Sequence, residues 1–351
     1  QRAINPWILN LFYHLPQLMK GRSYWSISPV LENVSTTSGG IPIGFETDTD
    51  YLGATGKLLS FMFPVPQQMK HIQHVDNFRY LTCYFLLRAE DLTLFSVWNP
   101  SFLTLLFQFM EQHIEHLLKD ISEGQLRLPV SVKLSWLEER LKPHPQRAKQ
   151  VEKAFSLAPS QRYEKIWPLL SLISCWTEGA AQFHVQTLKD YFPHLSFQGK
   201  GLLATEGIVS FPLVGKQGCI PAFASHFFEF LPEKHEQPVG IHQLEVGGVY
   251  QVLLTTSGGF YRYNLEDYIQ VVGKYRNVPL LTFRGRSKVS DIVGEKLLEN
   301  HVQRVLEKVF QELNHVPAFA LLAPERLENG GYYSVYIEGN YPPDLLSGIE
   351  K

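Results

Sequence analysis

The sequence predicts an α/β protein: a large first domain of α/β sheets plus a partial antiparallel barrel, followed by the start of a smaller α+β domain. Three observations predict this fold. Phe102 to Leu117 carry apolar side chains at helical three- and four-residue steps. Leu169–Trp176, Gln182–Phe192 and Gly201–Ala204 have the patterns of a strand, a helix and a strand, an order that favours parallel pairing through a right-handed crossover. After Phe227, short β runs alternate with glycine-rich turns.

The first part of the chain alternates predicted helices and strands. A helix is expected over Ile4–Met19. The later helix is expected to start at Asn99-Pro100-Ser101, because Asn is a favoured N-cap and Pro fits the first turn. β runs are expected ahead of it, at Leu81–Leu87 and Leu94–Val97. The polar segment Lys142–Gln150 contains two prolines and is expected to be a surface excursion.

The second part consists of short β runs followed by a helix. The expected runs are Phe227–Leu231, Val249–Leu254, Phe260–Tyr263, Tyr268–Val272 and Leu280–Phe283. A helical pattern then lies between Leu297 and Phe310, and Tyr332–Glu338 alternates as a strand does. The change of pattern places a domain boundary near Arg286. It divides the chain into residues 1–285 and the beginning of a second domain, residues 286–351.

Composition excludes several classes of protein. The net charge of −2 is unlike that of a protein whose main partner is nucleic acid or an anionic membrane, since such binding needs concentrated Lys and Arg. The apolar runs are shorter than the ~20 residues of a membrane span. Cys83, Cys175 and Cys219 are far apart and form no CxxC pair, so neither a zinc site nor a disulfide framework is indicated. We therefore expect a cytoplasmic protein.

Two carboxylates follow predicted β runs. Glu206 comes directly after Gly201–Ala204, so it is expected at the carboxyl end of a core strand, where open α/β sheets bind ligands. There it could hold Mg²⁺, with the Thr205 hydroxyl on a phosphate. Asp267 lies between two β runs and could accept hydrogen bonds from a vicinal diol at both oxygens. A solvated loop Glu and a turn-capping Asp are the alternative interpretations.

Two cationic segments and a strand end supply further candidates. Arg284-Gly285-Arg286 lies at the expected domain junction. Lys296 follows it, and an ammonium on a mobile second domain could approach a developing negative charge. Thr177-Glu178-Gly179 follows the strand expected at Leu169–Trp176 and could line a pocket beside Glu206. The alternatives are a basic surface turn, a solvated lysine at a helix start and a plain loop.

Other patterns do not predict a site. Ser35–Gly40 is rich in hydroxyls and glycine but lacks the lysine of a GxxxxGK[ST] phosphate loop, so a turn before Ile41-Pro42 is preferred. The pairs His71/His74 and His113/His116 each share a helix face without a third ligand nearby in sequence, which does not predict a metal site.

Taken in order, these segments resemble the auxin-responsive Gretchen Hagen 3 family of acyl acid–amido synthetases, within the adenylate-forming superfamily. The resemblance extends from about Gly21 to Glu338. It is carried by Ser35–Gly44, Leu94–Leu128, Ile166–Pro212, Phe227–Leu231, Gly248–Gly273 and Phe283–Leu297. It implies an adenylation domain followed by a lid domain, with ATP and Mg²⁺ as cofactors and a carboxylic acid and an amine, such as an amino acid, as small-molecule partners.

The resemblance also implies roles for single residues. Glu206 would take the Mg²⁺–ATP site, with Thr205 beside the phosphates. Asp267 would bind the ribose hydroxyls, and Arg286 would mark the hinge and touch the nucleotide.

The remaining implied roles concern the reacting groups. Lys296 would approach the α-phosphate during adenylation. Thr177 and Gly179 would line the wall shared by the nucleotide and the acyl group. An amine would then attack the acyl adenylate and release AMP.

Departures from the family pattern leave rival functions open. The family's phosphate loop should precede Gly21, and Gln1–Lys20 does not supply it. We therefore expect a truncated chain that is inactive as it stands. Glu266 and Leu203 stand where the family commonly has glycine. An acyl-CoA ligase with the same adenylation step and a non-catalytic nucleotide- or acyl-binding homologue are the alternatives.

Overall fold

The computed structural model of the chain describes most residues. They are residues 2–27, 35–39, 42–43, 62–178, 181–233, 237–286, 289–290, 297–312, 317, 319–327 and 330–338. The chain divides into two compact units. The first comprises residues 1–177, 181–201 and 211–216, and the second comprises residues 178–180, 202–210 and 217–351. The boundary expected near Arg286 stays a prediction.

A parallel sheet lies in the first unit. Its strands are β1 (Arg22–Trp25), β4 (Leu92–Ser96), β5 (Leu172–Ser174) and β6 (Ser196–Gln198), in the order β1-β4-β5-β6, and a separate hairpin joins β2 (Ser35–Thr36) to β3 (Pro42–Ile43). All residues of β4 and β5 are buried. Such burial is typical of parallel strands that are covered on both faces. Parallel pairing is therefore confirmed for the strand expected at Leu169–Trp176, but its partner is β6 and not the run expected at Gly201–Ala204.

Helices make up most of the rest of this unit. They are α1 (Ile4–His14), α2 (Val75–Arg88), α3 (Pro100–Gln112), α4 (Ile114–Glu123), α5 (Pro145–Phe155), α6 (Pro159–Ile166) and α7 (Ala181–Tyr191). Short 3₁₀ turns cover Pro16–Lys20, Gln67–His71 and Ser135–Arg140. The expected start of α3 is confirmed, because the Asn99 side chain accepts a hydrogen bond from the Ser101 amide at 2.9 Å.

Aromatic rings pack around β4 in the core. The Phe95 ring meets Tyr24, Phe107 and Trp167 edge to face, at centroid distances of 5.9, 5.9 and 5.3 Å. Arg147 is 1% exposed, and its guanidinium donates to the carbonyls of Leu87 and Ile166, both at 2.7 Å. These bonds satisfy the buried cation and join α5 to the ends of α2 and α6.

Three predictions for this unit are wrong in detail. Leu81–Leu87 belongs to α2, because the helix is buried on all sides over these residues and shows no polar face there that would give it a helical period. Lys142–Gln150 is not a simple surface excursion, since Pro145 occupies the first turn of α5 and Arg147 is buried. The strand that follows α7 is β6, not Gly201–Ala204.

An antiparallel sheet dominates the second unit. Its strands in this unit are β10 (Cys219–Pro221), β11 (Phe227–Pro232), β12 (Val239–Gly240), β13 (Val249–Thr255), β14 (Tyr263–Tyr275) and β15 (Val278–Arg286), in the order β12-β11-β13-β14-β15-β10. The strand β9 (Ser210–Pro212) has only Ser210 in this unit. Alternate residues of β13 are buried, as expected for a sheet with one face in a core. The predicted run at Tyr268–Val272 is confirmed as part of the long strand β14, whereas the run at Phe260–Tyr263 is wrong, because only Tyr263 belongs to that strand.

The remaining elements follow the sheet. A hairpin of β7 (Leu203–Ala204) and β8 (Gly207–Ile208) precedes it in sequence. β16 (Val289–Ser290) pairs with β17 (Leu297–Leu298), and α8 (Glu299–Glu312) is followed by the ribbon of β18 (Phe319–Leu327) and β19 (Gly330–Glu338). The predicted helix and final strand are thus confirmed. Over the described part of the chain, no helix is both long and apolar enough to cross a membrane.

Candidate functional site

Thr205 and Glu206 form the turn of the β7–β8 hairpin. Ala204 pairs with Gly207 on either side of them. Their expected place at the end of a core strand is therefore wrong, since β7 has two residues and, among the residues that the structure describes, pairs with β8 alone. Thr205 is exposed and Glu206 is half-buried, so both side chains can meet a ligand.

Gly207 keeps this hairpin close to the sheet of the second unit. A Cβ atom at Gly207 would lie 3.0 Å from Nε2 of His226 and 3.1 Å from Cδ2 of Leu254. Contacts this short are tighter than ordinary packing, so a side chain here would require the His226 and Leu254 side chains to move by a few tenths of an ångström. Burial lowers the pKa of His226 and favours a neutral imidazole beside the hairpin.

Asp267 lies inside β14, at a bulge rather than between two strands. Gln251 of β13 pairs with Tyr268, but Leu253 pairs with Asn264, so β14 has extra residues at this point. Glu266 has a φ of 59°, the left-handed conformation that glycine adopts most easily. The position where the family commonly has glycine therefore keeps a glycine-like backbone. The bulge turns Asp267 inward, and that residue is 1% exposed.

Arg286 is the direct partner of Asp267. The two residues are opposite each other on β14 and β15, and Arg286 Nε donates to Asp267 Oδ1 at 2.8 Å. Within the described residues, the buried Oδ2 atom has no hydrogen-bond partner. One carboxylate oxygen is thus held by a cation, whereas the other can accept from a ligand hydroxyl that reaches it.

Electrostatic coupling brings Glu206 into the same group. Burial raises the pKa of Asp267 above its ordinary value, although Arg286 opposes the change, and the negative charges of Glu206 and Glu266 raise it further. The charges of Glu206 and Glu266 therefore both act on Asp267 in the second unit. In this group the negative charge of the carboxylates exceeds the positive charge of Arg286. Such a group suits a site that binds a cation or hydroxyl donors.

Thr177 belongs to the first unit, at the carboxyl end of its parallel sheet. It follows β5, and its hydroxyl would lie 2.8 Å from a Cβ atom built on Gly199, which follows β6. Gly179 and Lys296, the other two predicted site residues, lie outside the described residues. The structure thus groups Glu206, Asp267 and Arg286, with Thr205 in the same turn as Glu206.

Glu178 has a role that the sequence did not reveal. Its carboxylate belongs to the second unit and accepts a hydrogen bond from the Phe283 amide of β15 at 3.0 Å. Burial raises the pKa of Glu178, against the effect of this hydrogen bond. A partner 105 residues away leaves no local signal in the sequence.

Lys200 is a second residue that sequence reasoning missed. It is 6% exposed, and its ammonium donates to the Ser96 hydroxyl at 2.7 Å. The same ammonium lies over the rings of Trp7, Trp25 and Trp98, at 4.9, 5.7 and 5.9 Å from the centroids. We call these three rings and Lys200 the tryptophan cage. Its desolvated cation–π contacts hold α1 and the ends of β1 and β4 together.

Neither the cysteines nor the described metal-ligating residues add a candidate to this site. All three cysteines are unpaired and buried, and burial raises the pKa of Cys175 and Cys219 to about 12. A thiol with so high a pKa is a poor nucleophile at neutral pH. In the parts of the chain that the structure covers, no cluster of three His, Cys, Asp or Glu residues could hold a metal alone.

Comparison with known proteins identifies the fold and then the family. The solved structure of GH3.15 acyl acid amido synthetase superposes with a TM-score of 0.81 over 97% of this chain and 64% of that chain, at 19% identity. The chain thus has the α/β fold of that structure. Models of the GH3 family N-terminal domain and central domain match residues 1–197 and 219–286. The chain belongs to the GH3 family, the Gretchen Hagen 3 family that its sequence resembles.

Curated relatives come from plants. Indole-3-acetic acid-amido synthetase GH3.4 of Arabidopsis thaliana is 25% identical over 332 residues, which cover 86% of this chain and 53% of that protein. Probable indole-3-acetic acid-amido synthetase GH3.11 of Oryza sativa subsp. japonica is 28% identical over 276 residues, with coverages of 67% and 44%. Jasmonoyl–L-amino acid synthetase GH3.5 of the same rice is 27% identical over 307 residues, with coverages of 78% and 52%. The chain spans about half the length of these relatives.

Proposed function

We propose that this chain is the adenylating part of an ATP-dependent ligase that activates a carboxylic acid as an acyl adenylate and transfers the acyl group to an amine, such as an amino acid. The observation that carries the proposal is the coupled group of Glu206, Asp267 and Arg286 in one unit. Family membership supports it, because the curated relatives are named as amido synthetases of the same overall chemistry.

The donor set fits Mg²⁺ bound together with ATP phosphates. Mg²⁺ keeps several waters and takes one or two carboxylates plus phosphate oxygens, so it needs no cage of protein ligands. Glu206 is half-buried at the tip of a turn, and the Thr205 hydroxyl lies beside it. When bound, the metal would neutralise phosphate charge during attack by the substrate carboxylate.

The residues of this chain would bind and orient the nucleotide. The free Oδ2 atom of Asp267 would accept from a ribose hydroxyl, and Arg286 would swing between Asp267 and the nucleotide. Its side chain is 55% exposed, which leaves room for that movement. Lys296 would approach the α-phosphate from the second domain that we place after Arg286, and Thr177 and Gly179 would line the acyl wall. Protein groups would thus stabilise charge without forming a covalent bond.

A non-catalytic nucleotide-binding homologue is the second candidate. The observation that favours it is that Asp267 and Arg286, the site residues joined by a hydrogen bond, would bind a nucleotide but supply no group that acts on the reaction itself. A binding protein would keep the nucleotide site without turning over. An acyl-CoA ligase, which would transfer the acyl group to a coenzyme A thiol in place of an amine, is a variant of the first candidate, since it shares the adenylation step.

Pyrophosphate exchange in the full-length protein separates these candidates. A panel of carboxylic acids is incubated with ATP, Mg²⁺ and labelled pyrophosphate, and an acid that supports exchange identifies adenylation. Lys296→Ala is expected to reduce exchange while nucleotide affinity is retained, because the lysine acts on charge that develops only during the reaction. Hydroxamate formation with hydroxylamine, against thioester formation with coenzyme A, then identifies the acceptor. ATP binding without exchange for any acid would favour the binding protein.

A further inference from the structure

The pairing of Arg286 with Asp267 depends on a bulge in β15. Ile269 of β14 pairs with Phe283, and Tyr268 pairs with Gly285, so Arg284 is an extra residue. Without it, the next position along the ladder would bring Gly285 opposite Asp267. Because a shift of one residue exchanges the two faces of a strand, the bulge decides that an arginine meets the carboxylate.

Two local features hold the bulge in place. Gly285 is buried with a φ of 132°, a conformation that residues with a side chain rarely adopt. The Phe283 amide, which immediately precedes the extra residue, donates to Oε2 of Glu178. A main-chain donor at the bulge is therefore satisfied by a side chain from a distant segment, as a buried donor requires.

We propose that Glu178 is a positioning residue of the candidate nucleotide site, whose carboxylate holds the β15 bulge and thereby keeps Arg286 opposite Asp267. This inference rests on the proposed function, because Arg286 and Asp267 are the residues that would contact the nucleotide. Glu178 itself touches neither of them in the hydrogen bonds described, and it acts through the backbone of β15.

Two substitutions at Glu178 distinguish the effect of its hydrogen-bond acceptor from the effect of its negative charge. Glu178→Gln keeps an oxygen that can accept from the Phe283 amide, whereas Glu178→Ala removes the acceptor. Glu245→Ala is the matched control, since Glu245 is an exposed carboxylate of the same unit, next to the strand β13. A purely electrostatic role would make Gln behave as Ala does. A positioning role would make Gln behave as Glu does.

Amide exchange and nucleotide affinity are measured in the same proteins. In Glu178→Ala we expect about tenfold faster hydrogen exchange at the Phe283 amide, loss of the hydrogen-bonded NMR signal of Arg286 Nε–H, and about tenfold weaker binding of Mg²⁺–ATP. Glu178→Gln and Glu245→Ala should stay within twofold of the parent chain in all three. A Glu178→Ala protein with unchanged Phe283 exchange and an intact Arg286 signal would overturn the proposal.

The role of Glu178 can still be tested if Glu178→Ala does not fold or if the chain does not bind ATP. If Glu178→Ala does not fold, the Phe283 amide shift is followed with pH in the parent chain and in Glu178→Gln. A titration present only in the parent supports the contact, and its absence from both rejects it. If the parent chain binds no ATP, the proposed function fails, while the exchange and Arg286 measurements still decide whether Glu178 sets the register.

Discussion

The ionised Asp267 side chain should lower the stability of the folded chain but strengthen nucleotide binding, and Asp267→Asn tests both effects. The substitution preserves the shape of the side chain but removes its charge and one acceptor. Hydrogen bonds to a charged group contribute about 1.5–3 kcal/mol each. Loss of one such bond to a ribose hydroxyl therefore weakens ATP binding by about 10- to 150-fold.

The effect on stability has the opposite sign. Burial raises the pKa of Asp267 in the folded protein above its value in the unfolded chain. The contribution of this group to stability is thus full below the unfolded pKa and is lost as the pH rises through the folded pKa. Asp267→Asn removes that loss. We expect the variant to be more stable than the parent at about pH 8 and to show no gain at about pH 3.

Calorimetric titration with ATP and Mg²⁺ gives the affinity, and urea unfolding at the two pH values gives the stability. Asp190→Asn is the control, because Asp190 is exposed on α7. It should change neither quantity. Unchanged affinity in Asp267→Asn, or a variant less stable than the parent at pH 8, would refute the reasoning.

Three other substitutions give smaller, separate effects. Glu178→Gln should stabilise the chain at pH 8 but not at pH 3 in urea unfolding, because burial raises the pKa of Glu178 and only its ionised form is disfavoured in the fold. An equal increase in the free energy of unfolding at both pH values would contradict this. Glu266→Gly should stabilise by about 0.5–1 kcal/mol in the same assay, since glycine adopts the observed φ of 59° without strain; a loss of stability would show that the Glu side chain contributes more than the strain. Lys200→Met should destabilise the chain by about 1–3 kcal/mol and alter tryptophan emission, because the tryptophan cage loses its cation. An unchanged emission spectrum and an unchanged urea midpoint would show that the cage does not contribute to stability.

Local signals predicted the elements that depend on local physics. The Asn99-Pro100-Ser101 start of α3 and the β run at Val249–Leu254 are properties of neighbouring residues, and both are confirmed. The pattern fails where burial is complete. The helix α2 is apolar on nearly every side from Phe78 to Leu87, so a periodicity argument mistook part of it for a strand.

The residues of the candidate site stay a prediction, and the structure shows how far their geometry could be foreseen. Short motifs pointed to Glu206, Asp267 and Arg286, yet neither the hairpin under Glu206 nor the β15 bulge has a sequence signature. The hairpin has a two-residue turn, Thr205-Glu206, that lacks the Asn-Gly or Asp-Gly pair by which such turns are recognised. The β15 bulge depends on long-range register, to which Glu178, a partner 105 residues from Phe283, contributes. The tryptophan cage was missed for the same reason, since its members are spread from Trp7 to Lys200.

The most direct measurement is a crystal structure of the chain with Mg²⁺ and a non-hydrolysable ATP analogue. We expect the ribose hydroxyls at Asp267, the metal beside Glu206 and Arg286 turned toward the nucleotide. A nucleotide bound elsewhere, with Asp267 still buried against Arg286, would contradict the central claim that these residues form one nucleotide site.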